Sequence, residues 1–290
     1  MSTTTMPAIG LIGLGALGSA IAGRLVAKGV PLGVWNRSPE KMLRLPTNGA
    51  TTYSTIEELC RESRWVLSCV SDDSAMLQVN RTIANSRNKP AMHISFSSCS
   101  PAAVREAANH AHNNGLSFLN SPVLGRPDVV LAGKAGYLVA GNTSSAKAAK
   151  PLFATLSGTY SYMGPAPEQS AIIKLAMNYL TALTIGGLSE IVSTLEHNQI
   201  NTDAFLDVIS NSPAGSPLIA LFGGLILRKE FTPPLFDLQL AQKDIGYFAD
   251  LIPTNTNCFL YSAIKDHITA TNNTREHALD WSGLASHLFK

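Results

Sequence analysis

The chain reads Ala8-Ile9-Gly10-Leu11-Ile12-Gly13-Leu14-Gly15-Ala16-Leu17-Gly18, an apolar run followed by three glycines in G-x-G-x-x-G spacing. The run predicts a buried strand, and the residues from Ala16 to about Lys28 predict a helix that ends at Gly29. In this setting the first glycine permits a tight turn, the second lets backbone amides approach a pyrophosphate, and the third lets the helix pack on the strand. The stretch therefore predicts a dinucleotide site at the positive end of the helix. Its predicted residues are Gly13, Leu14, Gly15, Ala16, Leu17 and Gly18.

The end of the second predicted strand, Val30 to Trp35, indicates which dinucleotide binds. An NAD site usually places Asp or Glu there to accept hydrogen bonds from the ribose 2′-hydroxyl, whereas this chain has Asn36-Arg37-Ser38. A carboxylate would repel a 2′-phosphate, while an arginine guanidinium can bind it with a planar, charged fork. We therefore expect NADP, contacted by Asn36, Arg37 and Ser38. The alternative, that Arg37 is a solvated turn residue, leaves the missing acid unexplained.

Composition sets wide bounds. The 290 residues are 45% hydrophobic and 14% charged, which is enough for one large or two modest domains with cores of their own. The net charge of +2 and the absence of a Lys/Arg block give no electrostatic footprint for nucleic acid. The four cysteines are scattered without metal or disulfide spacing, so we expect reduced thiols, no metal site and a cytoplasmic location.

Two apolar segments raise the question of export or membrane insertion. Residues 1–23 carry no charged side chain, but they lack a basic n-region, and five glycines between positions 10 and 23 favour a nucleotide loop over a signal peptide. The stretch from Ala171 to Val192 is interrupted by Lys174, Asn178 and Glu190, so it predicts a buried helix and not a membrane span.

Past the second strand, helical and strand patterns alternate. The predicted helices cover residues 55–62, 72–84, 101–113 and 144–156, and the predicted strands cover residues 65–70, 91–95, 117–119, 136–141 and 159–163. This alternation predicts parallel crossovers and hence a Rossmann-type doubly wound α/β sheet. Ligands of such sheets bind beyond the carboxyl ends of the strands, so the loops starting at Val70, Ser95 and Asn120 should converge, with Val70 and Ser71 at the cofactor.

A domain boundary is predicted at Gly164-Pro165-Ala166-Pro167, where two prolines interrupt the sheet pattern. Residues 1–164 would form the NADP-binding domain. Residues 165–290 would form an all-α domain for substrate binding and dimerisation, starting with one long helix from Glu168 to about Asn198.

Two polar residues on that long helix are candidates for catalysis. Lys174 and Asn178 are four residues apart and therefore share one helix face. A lysine beside nicotinamide can act as general acid, giving a proton to a carbonyl oxygen while hydride reaches the carbon, and the asparagine can orient it or the substrate. The alternative is a lysine that lays its stem over apolar surface.

Together, these motifs resemble those of the β-hydroxyacid dehydrogenases, which include 3-hydroxyisobutyrate dehydrogenase and the glyoxylate/succinic semialdehyde reductases. The resemblance spans nearly the whole chain. It comprises the glycine loop, the Asn36-Arg37-Ser38 turn of NADP-preferring members, the segment from His93 to Pro101, the Lys174-x-x-x-Asn178 pair and Lys243-Asp244.

The resemblance implies roles for these residues. Lys174 would be the proton donor and Asn178 a second catalytic residue in contact with substrate. Lys243 would reach over the cofactor, with Asp244 beside it at the substrate. Ser97 and Ser98 correspond to a Ser-Thr pair of the family, so Ser98 would contact the cofactor and Ser97 the substrate. The resemblance also implies homodimers, or tetramers, and the apolar circumference of the long helix is compatible with a partner subunit.

The chain departs from the family at its substrate loop. Family members usually carry Asp-Ala-Pro-Val-Ser-Gly-Gly, whose glycine amides hold the substrate carboxylate, whereas this chain has Asn120-Ser121-Pro122-Val123-Leu124-Gly125-Arg126-Pro127. Val123, Gly125 and Arg126 are expected at the substrate. Arg126 either binds a carboxylate bidentately or points to solvent while the pocket takes a less acidic carbonyl compound.

Two rival functions stay open. The related imine reductases share the architecture and the use of NADPH, but they typically lack a lysine at the position of Lys174, so this lysine favours a small carbonyl or hydroxyacid substrate. A cofactor-binding protein without turnover is the other rival, and the presence of both Lys174 and Asn178 argues against it.

Overall fold

The computed structural model describes residues 6–44 and 49–288. The chain divides into two compact units, Met1–Lys174 and Leu175–Lys290. The division falls inside one long helix, whereas the boundary predicted at residue 164 lies between the last strand and that helix.

The first unit contains a nine-stranded sheet. Its strands are β1 (Ile9–Ile12), β2 (Leu32–Trp35), β3 (Ala50–Thr52), β4 (Trp65–Ser68), β5 (Met92–Ser95), β6 (Ser117–Asn120), β7 (Val123–Leu124), β8 (Gly136–Gly141) and β9 (Tyr160–Gly164). Its helices are α1 (Ala16–Ala27), α2 (Ile56–Glu62), α3 (Asp73–Asn85), α4 (Pro101–Asn113), α5 (Pro127–Leu131), α6 (Thr143–Ala148) and α7 (Lys150–Leu156).

The strand order is β3-β2-β1-β4-β5-β6-β8-β7, with β9 beside β8. The first six strands are parallel and follow the Rossmann order, so the predicted doubly wound sheet is confirmed. The order reverses between β1 and β4, where Ile12 pairs with Ser68. This switch point is where such sheets bind their ligand.

The sheet departs from the predicted alternation after β6. There β8 runs antiparallel to β6 and to the short β7, because the connection between β6 and β8 contains only β7 and the five-residue α5 and no helix long enough for a parallel crossover. The single helix predicted for residues 144–156 is also wrong. It is two helices, α6 and α7, and Pro151 near the start of α7 has no amide hydrogen with which to continue the α6 ladder.

Two apolar clusters cover the two faces of the sheet. One contains Ile21 and Leu25 of α1 with Phe153 of α7, and the other contains Met76 of α3 and Val104 of α4. Because both faces of the sheet are covered, the central strands β1, β4 and β5 are buried at every residue.

The second unit is helical. It contains most of α8 (Glu168–His197), then α9 (Thr202–Ser210), α10 (Pro217–Leu227), α11 (Leu238–Ala249), α12 (Phe259–Thr274) and a 3₁₀ turn, Trp281–Ala285. Its core joins Ile185, Phe222, Ile245, Ile268 and Trp281. The prediction of an all-α part after the sheet is confirmed.

Helix α8 is long and apolar. Among the helices of residues 6–44 and 49–288 it alone has the length and composition with which a helix could cross a membrane, a property that core helices share. Of its most apolar window, 39% is buried, so the predicted burial is incomplete in the single chain. Its exposed apolar side chains include Met177, Leu180 and Ile191.

Candidate active site

The glycine loop between β1 and α1 has the geometry that its sequence predicts. Gly13 has φ +95° and donates its amide to the Trp35 carbonyl oxygen at 3.0 Å. A Cβ on Gly13 would overlap the Cys69 carbonyl oxygen, and a Cβ on Gly18 would overlap the Gly13 carbonyl oxygen. Both positions therefore require glycine, the first for the turn and the second for close packing of helix on strand.

The start of α1 is open toward a ligand. No described atom lies within 4 Å of the position that a Gly15 Cβ would take. In the described part of the chain, no side chain caps this helix and no acidic residue stands in its first turn. Its first amides are therefore left for an external acceptor. The cradle fits the pyrophosphate of a dinucleotide, which binds as an anion at the helix terminus.

Asn36 has a positioning role that the sequence did not reveal. Its Oδ1 accepts a hydrogen bond from the Leu14 amide at 2.8 Å, and its Nδ2 donates to the Ser38 carbonyl oxygen at 2.9 Å. The side chain thus ties the end of β2 to the glycine loop. Next to it, Arg37 is exposed. Direct contacts of Asn36, Arg37 and Ser38 with the cofactor stay predictions.

The loops after β4, β5 and β6 converge, as predicted. The Val70 amide donates to Ser97 Oγ at 2.9 Å, and the Ser121 amide donates to the Ser95 carbonyl oxygen at 2.7 Å. Asp73, the first residue of α3, accepts hydrogen bonds from both the amide and the hydroxyl of Ser100, at 2.9 and 2.6 Å. These bonds fix the loops to one another at the carboxyl ends of the parallel strands.

Within these loops the predicted site residues differ in exposure. Ser97 is buried and its hydroxyl holds the Val70 amide, which makes it part of the loop framework. Ser98 is half-buried, and the exposed Ser71 donates to Asp72 Oδ2 at 2.6 Å. Asp72 in turn caps α3 by accepting from the Ala75 amide at 2.9 Å.

The segment predicted to contact substrate, Asn120 to Pro127, starts at the carboxyl end of β6. Asn120 Nδ2 donates to Ser170 Oγ at 3.0 Å, Val123 is buried in β7, and Gly125 has φ +152°. Arg126 directly precedes α5, and its Nη2 lies 3.3 Å from Asp128 Oδ2. The guanidinium therefore does not point freely into solvent.

A buried polar cluster joins α8 and α11 within the second unit. Asn178 Nδ2 donates to Asp244 Oδ2 at 2.6 Å, and the exposed fractions of Asn178 and Asp244 are 5% and 1%. Lys243 Nζ lies 2.9 Å from Asp244 Oδ1 and forms an ion pair with this carboxylate. The cation offsets the cost of burying the carboxylate.

This cluster modifies the roles read from the sequence. Asp244, expected at the substrate, holds Asn178 and pairs with Lys243. Tyr247 was missed: the Lys243 ammonium lies 4.9 Å from the centre of its ring, a cation–π distance. The i, i+4 spacing of Lys243 and Tyr247 on α11 is the sequence signal that could have found it. Lys174 is half-buried, one turn before Asn178 on the same face of α8.

A second buried network joins β4 and β5 of the sheet to helix α3. His93 hydrogen-bonds Ser68 Oγ at 2.8 Å and Asn80 Nδ2 at 3.1 Å, and burial lowers the pKa of His93 from 6.5 to about 3. The imidazole is therefore neutral and structural. Across the described ranges, no three His, Cys, Asp or Glu residues are grouped to hold a metal ion, and the four cysteines form no disulfide.

Comparison with known proteins identifies two family models along the chain. One is described as the NAD binding domain of 6-phosphogluconate dehydrogenase and matches residues 8–164. The other is described as the NAD-binding region of NADP-dependent 3-hydroxyisobutyrate dehydrogenase and matches residues 169–288.

Individual relatives agree with the models. An uncharacterized oxidoreductase of Bacillus subtilis, YfjR, is 29% identical over 95% of this chain and 98% of its own length. The structure of 3-hydroxyisobutyrate dehydrogenase of Mycobacterium tuberculosis, solved with L-serine, superposes with a TM-score of 0.87 at 22% identity and covers 99% of this chain and all of its own. An imine reductase of Myxococcus stipitatus has the same fold at a TM-score of 0.65 and 18% identity, over 99% and 100% of the two chains.

Proposed function

Since the chain belongs to the β-hydroxyacid dehydrogenase family of NAD(P)-dependent oxidoreductases, we propose that it transfers hydride between NADPH and a small carbonyl or hydroxy compound. The substrate is of the β-hydroxyacid or semialdehyde type. Lys174 gives a proton to the carbonyl oxygen during reduction and removes it during oxidation. The bound nicotinamide supplies or receives the hydride.

The observation that carries this proposal is the placement of Lys174 and Asn178 on one face of α8, with Asn178 held by a buried carboxylate. The 2.6 Å bond to Asp244 fixes the amide of Asn178, so its carbonyl oxygen can orient a substrate hydroxyl or the lysine. Asp244 acts through Asn178 and is a positioning residue. A lysine without such a neighbour would be better explained by packing of its stem.

The choice of NADPH rests on Arg37 and on the missing acid at the end of β2. Asn36 holds the glycine loop, and the exposed Arg37 is available for a 2′-phosphate. The amides at the start of α1 hold the pyrophosphate. We further propose that Val70, Ser71, Ser98 and Lys243 contact the cofactor, that the protein works in the cytoplasm as a homodimer or tetramer, and that it binds neither nucleic acid nor membrane.

NADPH oxidation at 340 nm tests the proposal, with glyoxylate, succinic semialdehyde and a cyclic imine as substrates. In Lys174→Ala, carbonyl turnover should fall roughly 10²- to 10⁴-fold, the range for losing a general acid. Lys147→Ala, which removes an exposed lysine on α6, should leave it unchanged.

Carbonyl turnover that is the same in wild type and Lys174→Ala would contradict the general-acid role. Turnover of the imine alone, insensitive to Lys174, would identify an imine reductase instead. NADPH binding without turnover of any of the three substrates would favour a non-catalytic protein.

A further inference from the structure

Several buried polar atoms without partners lie at the end of β6 and in the loop that follows it. In the described chain, Asn120 Oδ1, Ser121 Oγ, Arg126 Nε and Arg126 Nη1 are all buried and have no hydrogen-bond partner. Most buried polar groups in folded proteins are paired, so four unpaired atoms within seven residues need an explanation. A ligand that supplies the missing partners is one.

Arg126 carries the strongest of these unmet demands. Only 18% of its side chain is exposed, and among the described residues Asp128 is its one ion-pair partner, through Nη2 at 3.3 Å. Asp128 is itself 51% exposed, and such a pair contributes little. A largely buried guanidinium with two unpaired nitrogens is costly unless an anion completes its hydrogen bonds.

The position of the loop indicates what that anion belongs to. The loop starts at the carboxyl end of β6, and the Ser121 amide is bonded to the end of β5. It therefore leaves the same edge of the sheet as the glycine loop and the two loops that contain Val70 and Ser97. An anion held there lies on the ligand-binding edge of the sheet.

We propose that Arg126 is a specificity-determining residue that binds the carboxylate of the substrate. The inference rests on the proposed function and deepens it: the substrate is a small oxo acid or its hydroxy acid and not a neutral carbonyl compound. A side-chain guanidinium takes over anion binding in this loop, where Pro127 has no amide hydrogen to donate. The guanidinium can grip both carboxylate oxygens.

The test compares a charged and a neutral version of the same substrate. Succinic semialdehyde and its methyl ester are reduced with NADPH by wild type, Arg126→Gln, Arg126→Lys and the control Arg81→Gln, which changes an exposed arginine of α3. In Arg126→Gln, kcat/KM for the acid should fall roughly 10- to 100-fold, mainly through KM, since a hydrogen bond to a charged group is worth that much. The ester should change less than about 3-fold.

Arg126→Lys keeps the charge without the fork, so it should fall between wild type and Arg126→Gln for the acid. Thermal melting of all variants checks that the fold is retained. If the acid and the ester lose the same factor in Arg126→Gln, the proposal is overturned, because a loss of packing affects both substrates alike.

A binding measurement separates this inference from the proposed function. The NADP⁺-loaded wild type and Arg126→Gln are titrated by calorimetry with succinate and with its diamide. Wild type should bind succinate, and Arg126→Gln should bind it more weakly. Both proteins should bind the diamide only weakly. If the protein prefers succinate to the diamide but does not oxidise NADPH, the proposed reductase activity is wrong and carboxylate binding by Arg126 is supported. If the protein oxidises NADPH but binds succinate and the diamide equally, or does not bind succinate, the reductase activity is supported and carboxylate binding by Arg126 is wrong.

Discussion

At the end of β2, two neighbouring side chains have different tasks. Asn36 is bonded on one side to the glycine loop and on the other to Ser38, while Arg37 is exposed. We predict that Arg37→Ala raises the KM for NADPH roughly 10- to 100-fold, because it removes charged hydrogen bonds to the 2′-phosphate, and leaves the KM for NADH within about 3-fold. Steady-state kinetics with both cofactors, with Arg81→Ala as control, measure this. An equal effect on both cofactors, or none on either, would show that Arg37 does not recognise the 2′-phosphate.

His93 makes stability depend on pH. Burial lowers its pKa from 6.5 to about 3, so the folded state binds fewer protons than the unfolded state between these values. The stabilisation that neutral His93 gives to the folded state is therefore complete above about pH 6.5 and is lost as the pH falls toward 3. At about pH 5 the free energy of unfolding is lower by roughly 2 kcal/mol. Urea unfolding at pH 7 and 5 should show a smaller acid-induced loss in His93→Gln than in wild type. His112→Gln, an exposed control on α4, should behave as wild type.

Individual residues also show where sequence reasoning reaches its limit. The glycines of the loop were predictable because each task is set by its immediate neighbours. The bond from Asn36 to Leu14 spans 22 residues of chain, and the bond from Asn178 to Asp244 spans 66. No local pattern encodes such pairings. Lys243 and Asp244 were identified only by resemblance, and Ser97 was expected at a substrate but its hydroxyl holds a loop.

The turn between β1 and α1 allows a paired test at the level of the element. Gly13 has φ +95°, and a Cβ at this position would overlap the Cys69 carbonyl oxygen. A Cβ on Gly15 would meet open space. We predict that Gly13→Ala lowers thermal stability, while Gly15→Ala keeps the melting temperature of wild type and raises the Kd for NADPH about 10-fold or more, since the new methyl group stands where amides meet the pyrophosphate. Melting curves and NADPH fluorescence titration measure both effects. Unchanged affinity in Gly15→Ala would place the phosphates elsewhere.

Elements with strong periodicity were predictable and short ones were not. The bounds of α4 and β8 agree with the sequence prediction. Ser100 caps α4 and Pro101 is its first residue, and β8 has a glycine at each end. The two-residue β7 and five-residue α5 are too short to show a period, so the antiparallel turn of the sheet was missed. The loop from Asn120 to Pro127 lies in that antiparallel part of the sheet, which is why the surroundings of Arg126 could not be predicted from sequence alone.

At the scale of the whole molecule, several large apolar side chains of the helical unit are exposed. Met177, Leu180 and Ile191 of α8 are joined by exposed Val208 of α9, and by Phe259 and Leu260 at the start of α12. Monomeric proteins rarely leave large apolar patches uncovered. A second copy of the chain is the partner that the family resemblance implies.

We therefore predict a dimer in solution, with a mass by light scattering near twice 30.8 kDa at micromolar concentration. Leu180 is 62% exposed in the single chain, so Leu180→Glu should cost little in the monomer, yet it would bury an unpaired carboxylate in the dimer and shift the population toward monomer. Leu131→Glu is the matched control, since Leu131 is 53% exposed on α5 in the other unit, and it should leave the mass unchanged. A monomeric wild type, or equal dissociation by both variants, would mean that the apolar face of the helical unit is not where two copies meet.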